Sequence, residues 1–410
     1  MKVRAMRRPL TDRRLQVLLL APWFYPDSNG GAPRVFDTLA RNASRIQITV
    51  LADHPHGVGA ESDESTDFPY RVVRADFPNP MSESSQPFAR KVVIAAALMW
   101  RQHRAVASTI RQLQPDVIIA GNVYVCGWMR RWFQRRTVWA NYVHGEELTM
   151  ALSYGPLSSW LWRKQRDALQ KANLNICVSG NTARVTRDLY GVDEERIAIV
   201  PNPVDLSRFN PPADRDAARA DLGWDGKFIL LTIARLVPRK GIDRTLRALH
   251  VCKNLPSNWL YCIGGLGQEM ASLQGLVAEL GLQERVRFLG SVPEVTLADH
   301  YGAADLFVQT NVDVNGDTEG FGIVFLEASA CGTAVLGGIS GGTADAIEDG
   351  VSGYRVDGDD IEQVRDRLEL LCTNDGLRAT LAAGGLARAR REFSPAVCTN
   401  QLEDRLLALM

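Results

Sequence analysis

Neither sign of charge prevails: 47 lysines and arginines balance 47 aspartates and glutamates over 410 residues. No overall field therefore draws the chain to nucleic acid. The 7 cysteines are odd in number, scattered, and form no CxxC pair. That excludes a disulfide framework and a zinc knuckle, and makes a reducing cytoplasm the expected home. No apolar run approaches a membrane span: residues 92–100 stop far short and are flanked by Arg90, Lys91 and Arg101. Residues 15–22 are apolar but short and lack a small-residue cleavage site, so they read as a first strand and not as a signal peptide. Also missing is a GxGxxG fingerprint, which removes the best evidence for a dinucleotide oxidoreductase.

What is present is a globular composition, 46% hydrophobic and 23% charged, long enough for two ordinary domains with large cores. Lys2, Arg4, Arg7, Arg8, Arg13 and Arg14 form a basic head, read as a flexible leader over residues 1–14. Strand–loop–helix alternation then fills residues 15–205, with continuous apolar strands at 15–22, 46–51, 116–120, 137–143 and 174–179. Residues 206–226, rich in proline, charge and alanine, read as an interdomain segment. A second series occupies 227–393, and 394–410 reads as an amphipathic final helix.

Several positions carry chemistry. The turn Asn29-Gly30-Gly31-Ala32-Pro33, between a strand and a helix, is a phosphate cradle in form, although turns need glycine in any case. His144 directly follows a buried strand, where ligands meet open α/β sheets. Glu146 and Glu147 next to it face an acceptor or simply favour the helix start that follows. Arg235 and Lys240 flank a proline-containing turn before a helix, and two fixed cations there suit a diphosphate and the charge of a phosphate leaving group. Arg239 is a third cation beside them, with no separable role. Glu319-Gly-Phe-Gly-Ile-Val-Phe-Leu-Glu327 puts one carboxylate before a helix and another inside it, among apolar neighbours. An acceptor-only carboxylate on such a helix suits ribose or sugar hydroxyls, and glycines around Phe321 let backbone N–H groups approach an anion. Two other patterns carry less. His54 and His56 have no third ligand nearby, and Asp313-x-Asn315-x-Asp317 meets Val324 where a calcium loop needs its bidentate Glu. Residues 128–136 hold four arginines and three aromatics. They suit an anionic membrane headgroup region or, better, a surface helix with solvated arginines.

Glu319 to Glu327 resembles the EX7E motif of retaining GT-B glycosyltransferases of family 4 in the sugar-enzyme classification (glycosyl transferases group 1, phosphatidylinositol mannosyltransferase-like). Ala234-Arg235-Leu236 through Lys240-Gly241 matches the same family, with Ala234 for its usual glycine, and Pro201-Asn202-Pro203-Val204-Asp205 matches its end-of-domain signature, with proline for glycine. The resemblance implies an α/β GT-B architecture: two Rossmann-like domains facing each other across a cleft, the final helix crossing back to the first. It implies donor contacts from Gly30, Gly31, Gly265, Phe321, Gly322, Ile323 and Glu327, with Val286 and Arg287 near the base. His144 and Glu319 would meet the sugar, while Arg235 and Lys240 neutralise the diphosphate. The implied reaction moves a hexose or N-acetylhexosamine from a UDP- or GDP-linked donor to a hydroxyl of a glycolipid, polysaccharide or small metabolite, with retention and without metal or other cofactor. Members of the family touch membranes through the N-terminal domain, so peripheral contact with the inner face of the membrane joins the expectations. A nucleotide-sugar epimerase, a non-catalytic sugar-nucleotide sensor and a glycosidase remain as alternatives.

Overall fold

The computed structural model describes residues 13–25, 31–54, 68–77, 88–123, 127–133, 137–145, 147–148 and 158–410. Within them the continuous apolar runs become parallel strands, because a strand covered by helices on both faces has no polar side to show. The first sheet contains β1 (Leu15–Leu20), β2 (Ile46–Ala52), β3 (Arg71–Arg74), β4 (Val117–Ala120), β5 (Val138–Val143), β6 (Leu174–Cys177) and β7 (Ile197–Ile199). The second contains β8 (Phe228–Ile233), β9 (Trp259–Gly264), β10 (Val286–Gly290), β11 (Leu306–Gln309), β12 (Val335–Gly338) and β13 (Tyr354–Val356). Their orders are β3-β2-β1-β4-β5-β6-β7 and β10-β9-β8-β11-β12-β13. Each order reverses direction beside its first strand, between β1 and β4 and between β8 and β11. A crevice opens at such a reversal, outside the carboxyl ends of the strands. The chain is α/β with two Rossmann-like domains.

The expected leader needs one correction. Arg13 is anchored: its guanidinium makes a two-pronged pair with buried Asp116, at 2.5 and 2.8 Å, at the foot of β1. Residues 1–12 lie outside the described residues. The interdomain stretch is docked onto the second sheet. Its short helix Arg215–Asp221 sends Arg215 and Arg219 to Asp305, at 2.8 and 3.2 Å, and Trp224 is buried.

The basic, aromatic stretch 128–136 is only partly described. There Arg130 is buried and pairs with Asp167 at 3.2 Å, so it is not a headgroup contact. No helix among the described residues is long and apolar enough to cross a membrane.

The helix Pro395–Leu407 packs against the first helix, Gly31–Asn42, on the other half of the molecule. Glu403 fixes it there. Its fully buried carboxylate accepts from the backbone N–H groups of Ser44, Arg45 and Ile46 at 2.7, 2.8 and 3.3 Å, and from Arg45 Nε at 2.9 Å. Glu403→Ala would strand these donors beside a cavity. The expected loss is about 3 kcal/mol, read in a thermal melt of the 410-residue chain as a fall of roughly 3–4 °C. Glu403→Gln, which keeps an acceptor oxygen, should lose less; equal melts for all three chains would refute the tether.

Candidate active site

The loops leaving the carboxyl ends of both sheets meet in one cleft of about 580 Å³. Gly31 and Arg34 follow β1, and His144 follows β5. Arg235, Arg239 and Lys240 follow β8, Gly265 follows β9, and Glu294 follows β10; Glu319 and Phe321 follow β11, all lining the same space. Gly322, Ile323 and Glu327 line it from the helix Ile323–Ala330. That helix begins at Ile323 because Gly322 takes φ 88° and ψ 50° as the N-cap, a left-handed conformation that suits glycine.

Glu319 is the hub. Its Oε2 accepts from Lys240 Nζ at 2.5 Å, Asn311 Nδ2 at 2.8 Å and Arg239 Nη1 at 3.2 Å. Arg239 also pairs through Nε with Asp317 at 3.2 Å, which separates its role from that of Lys240: it braces the loop before Glu319. Burial pushes the Glu319 carboxyl up, but Lys240, Arg239 and Arg235 outweigh it and hold the group below its ordinary value. A depressed folded value means that its contribution to stability is in place above the ordinary glutamate range. The contribution disappears as pH falls through the lowered value. Lys240 moves the opposite way for a cation: burial pushes its ammonium down, Arg239 and Arg235 add to the effect, and Glu319 opposes it.

Glu327, 1% exposed, sits in a second cluster. Arg34 Nη1 donates to its Oε1 at 3.0 Å, and the Tyr301 hydroxyl donates to its Oε2 at 2.9 Å. Burial, followed by the negative charge of Glu327, pushes the Tyr301 phenol well above its ordinary value. Glu294 lies 3.8 Å from Arg34 Nε and is itself held by Arg208 Nη1 at 2.9 Å.

Gly265 is required by space. At φ 129° an added Cβ would lie 1.8 Å from the Ala234 carbonyl oxygen, so the β8 and β9 loops can touch only through a glycine. His144 packs its ring against Phe36 and Tyr142, with centroids 5.4 and 5.0 Å away, and lines the cleft between the halves.

Some expected contacts fall elsewhere. Val286 and Arg287 lie at the amino end of β10, and Val286 packs into the core of the second half; the cleft is lined instead by Ser291, Val292 and Pro293 beyond the carboxyl end. Glu147 is buried and caps its own turn, with Oε1 accepting from His144 N at 2.8 Å, so it is not an acceptor contact. Gly30 and Glu146 lie outside the described residues. Missing from the sequence reading are Arg34, Tyr301 and Glu294, all lining the cleft; Asn202 lines it too and was named only within the end-of-domain signature. Arg34 carried one signal, its place in the first turn of the helix after the glycine pair.

Two family models match the chain. One described as Glycosyltransferase Family 4 matches residues 29–208, and one described as Glycosyl transferases group 1 matches residues 214–387. The chain is 28% identical over 376 residues to a GDP-mannose-dependent alpha-(1-6)-phosphatidylinositol monomannoside mannosyltransferase of Mycolicibacterium smegmatis, covering 90% of this chain and 92% of that one. It is 37% identical over 248 residues to a D-inositol 3-phosphate glycosyltransferase of Nocardia farcinica, covering 57% of this chain and only 53% of the relative. Among solved structures, HepE of Anabaena in complex with UDP and glucose aligns with a TM-score of 0.74 at 22% identity, over 96% of this chain and 100% of that one. Sucrose-phosphate synthase of Thermosynechococcus elongatus aligns with a TM-score of 0.77 at 20% identity, over 97% and 100%. At such identities these two show the fold.

Proposed function

The chain belongs to the GT-B glycosyltransferases of family 4 and group 1, and on that premise we propose that it moves a hexose or N-acetylhexosamine from a UDP- or GDP-linked donor to an acceptor hydroxyl, retaining anomeric configuration. The observation that carries this reading is the pairing of two clusters in one cleft: cations gathered at the mouth of the second sheet, and a buried carboxylate on the helix beside them. Arg235 and Lys240 would hold the diphosphate and offset the charge that develops as it leaves. Glu327 would accept from ribose hydroxyls, and Glu319, with the backbone of Phe321 and Gly322, from the sugar. His144 would reach the sugar from the opposite wall. No protein base is assigned; the β-phosphate oxygen freed in a front-face displacement takes the acceptor proton.

The state of Glu319 favours this over hydrolysis. A glycosidase acid needs its proton and a raised pKa. Glu319 is held ionised by three donors and lies below its ordinary value. The donor base stays open between guanine, which the full-length mannosyltransferase relative uses by its name, and uracil, which the solved HepE complex holds. Acceptors carried in a membrane would be met through the N-terminal half, where Trp100 is 58% exposed beside Arg104.

A thermal-shift panel of UDP, GDP, ADP and their sugar conjugates tests the donor. Ligand at 100 times its dissociation constant stabilises by about 2.7 kcal/mol. One nucleotide family should raise the melting temperature of the wild-type chain, and Glu327→Ala should lose that rise. No shift with any of them, together with release of free sugar from simple glycosides, would replace transfer by hydrolysis. An inverted anomer in the isolated product would overturn retention.

A further inference from the structure

Glu327 belongs to the second half, yet the cation that pairs with it comes from the first. Arg34 stands in the first turn of the helix Gly31–Asn42 and reaches across the cleft to Oε1 at 3.0 Å. A carboxylate whose side chain is only 2% exposed needs such a partner, because an ionised group out of water is costly until it is paired. An ionised carboxylate offers about four lone pairs. Arg34 takes one on Oε1, and the Tyr301 hydroxyl takes one on Oε2. One is left on each oxygen, the number that a vicinal diol can fill with its two O–H groups.

Arg34 also has a donor to spare. Its Nε is buried and has no hydrogen-bond partner among the described residues, and Glu294 Oε1 stands 3.8 Å away, beyond hydrogen-bonding distance. An N–H beside two carboxylates selects for a group that accepts from nitrogen and donates to oxygen at once. A hydroxyl does both. We propose that Arg34 is a specificity residue for the donor's ribose: it orients Glu327 and gives its Nε–H to a ribose hydroxyl, so that the diol is read from both halves of the molecule. The inference rests on the nucleotide-sugar reading above. It adds that a donor lacking the diol is rejected through a residue of the half that does not hold the nucleotide. Discrimination of this kind is strong where loss of a hydroxyl leaves buried polar groups unpaired.

The test is calorimetry on the full chain with UDP and GDP and with their 2′,3′-dideoxy counterparts, for wild type, Arg34→Gln and Arg34→Lys. The wild-type chain should prefer its ribonucleotide over the dideoxy form by about 100-fold or more, the scale set by two hydrogen bonds lost at a buried charged group. Arg34→Gln should bind the dideoxy form as wild type does and keep a preference of only a few-fold. Arg34→Lys, which still brings a cation to Oε1, should recover part of the preference. Unchanged ribonucleotide affinity in Arg34→Gln would overturn the proposal. So would an equal loss for both nucleotides, which would place Arg34 on the phosphates or in the fold. An Arg34→Lys chain that folds but discriminates no better than Arg34→Gln would overturn the cation argument too, and Arg34→Lys alone decides the matter if Arg34→Gln does not fold. A wild-type chain that binds neither UDP nor GDP brings down the nucleotide-sugar reading itself, a different result from any of these.

Discussion

Lys240→Ala is expected to lower kcat/KM about 10³-fold while leaving the melting temperature within a few degrees of wild type. The factor corresponds to about 4 kcal/mol of transition-state stabilisation, at the upper end of what one preorganised donor supplies to a developing oxyanion. Stability survives because Glu319 keeps Asn311 at 2.8 Å and Arg239 at 3.2 Å, and because the deletion also removes a buried ammonium. Burial lowers the Lys240 pKa, so the alkaline limb of the wild-type kcat/KM profile should fall earlier than for an exposed lysine. Steady-state rates across pH, with a melt of each protein, check both statements. A variant within tenfold of wild type would remove Lys240 from the chemistry.

The second large effect comes from a residue with no side chain. Gly320→Ala should reduce kcat about 100-fold, with nucleotide affinity nearly intact. An added Cβ at Gly320 would stand 2.1 Å from the His144 carbonyl oxygen, on the other half of the molecule. Backbone does not yield as a flexible side chain does, so the halves must separate by roughly 1 Å to reach contact distance. A displacement of that size is enough to cost two orders of magnitude when reacting groups come from opposite walls. Gly320 lies outside the left-handed region, so alanine is tolerated locally and the second half should fold as before. Two hydroxyls would also lose their acceptor on separation, since Ser179 Oγ and Thr182 Oγ1 donate to the Gly320 carbonyl at 2.8 and 3.3 Å. Small-angle scattering should show the variant more open with nucleotide bound, and a kcat near wild type would sink the idea.

What could be read from the sequence was whatever short spacing controls. β1, β4 and β8 stand where continuous apolar runs place them, and Glu319, Lys240 and Arg235 gather because each follows such a strand. Glu147 was expected to face an acceptor or to favour the helix start that follows it; its carboxylate instead accepts from the His144 N–H three residues before it, a contact the expectation did not name. Arg34 was not legible from short spacing. Its partner is 293 positions away, and its one signal, the place after the glycine pair, does not point to Glu327. Tyr301 reads as core from its neighbours and is buried; only its hydroxyl, aimed at Glu327, gives it a second task. Val286 and Arg287 were misplaced for a simpler reason. Ligands meet the carboxyl end of β10, and these residues begin it.

The tether through Glu403 has a consequence for how the protein is made. The N–H groups of Ser44, Arg45 and Ile46 sit near the beginning of the chain, and the carboxylate that satisfies them follows the entire second half. At about 5–20 residues per second on the ribosome, the first half must wait roughly tens of seconds for its own covering helix. During that time the outer face of the first helix is bare, and the nascent protein depends on whatever shields apolar surface in the cell. The two halves are thus separate in architecture and joined in time: the earlier one is finished last.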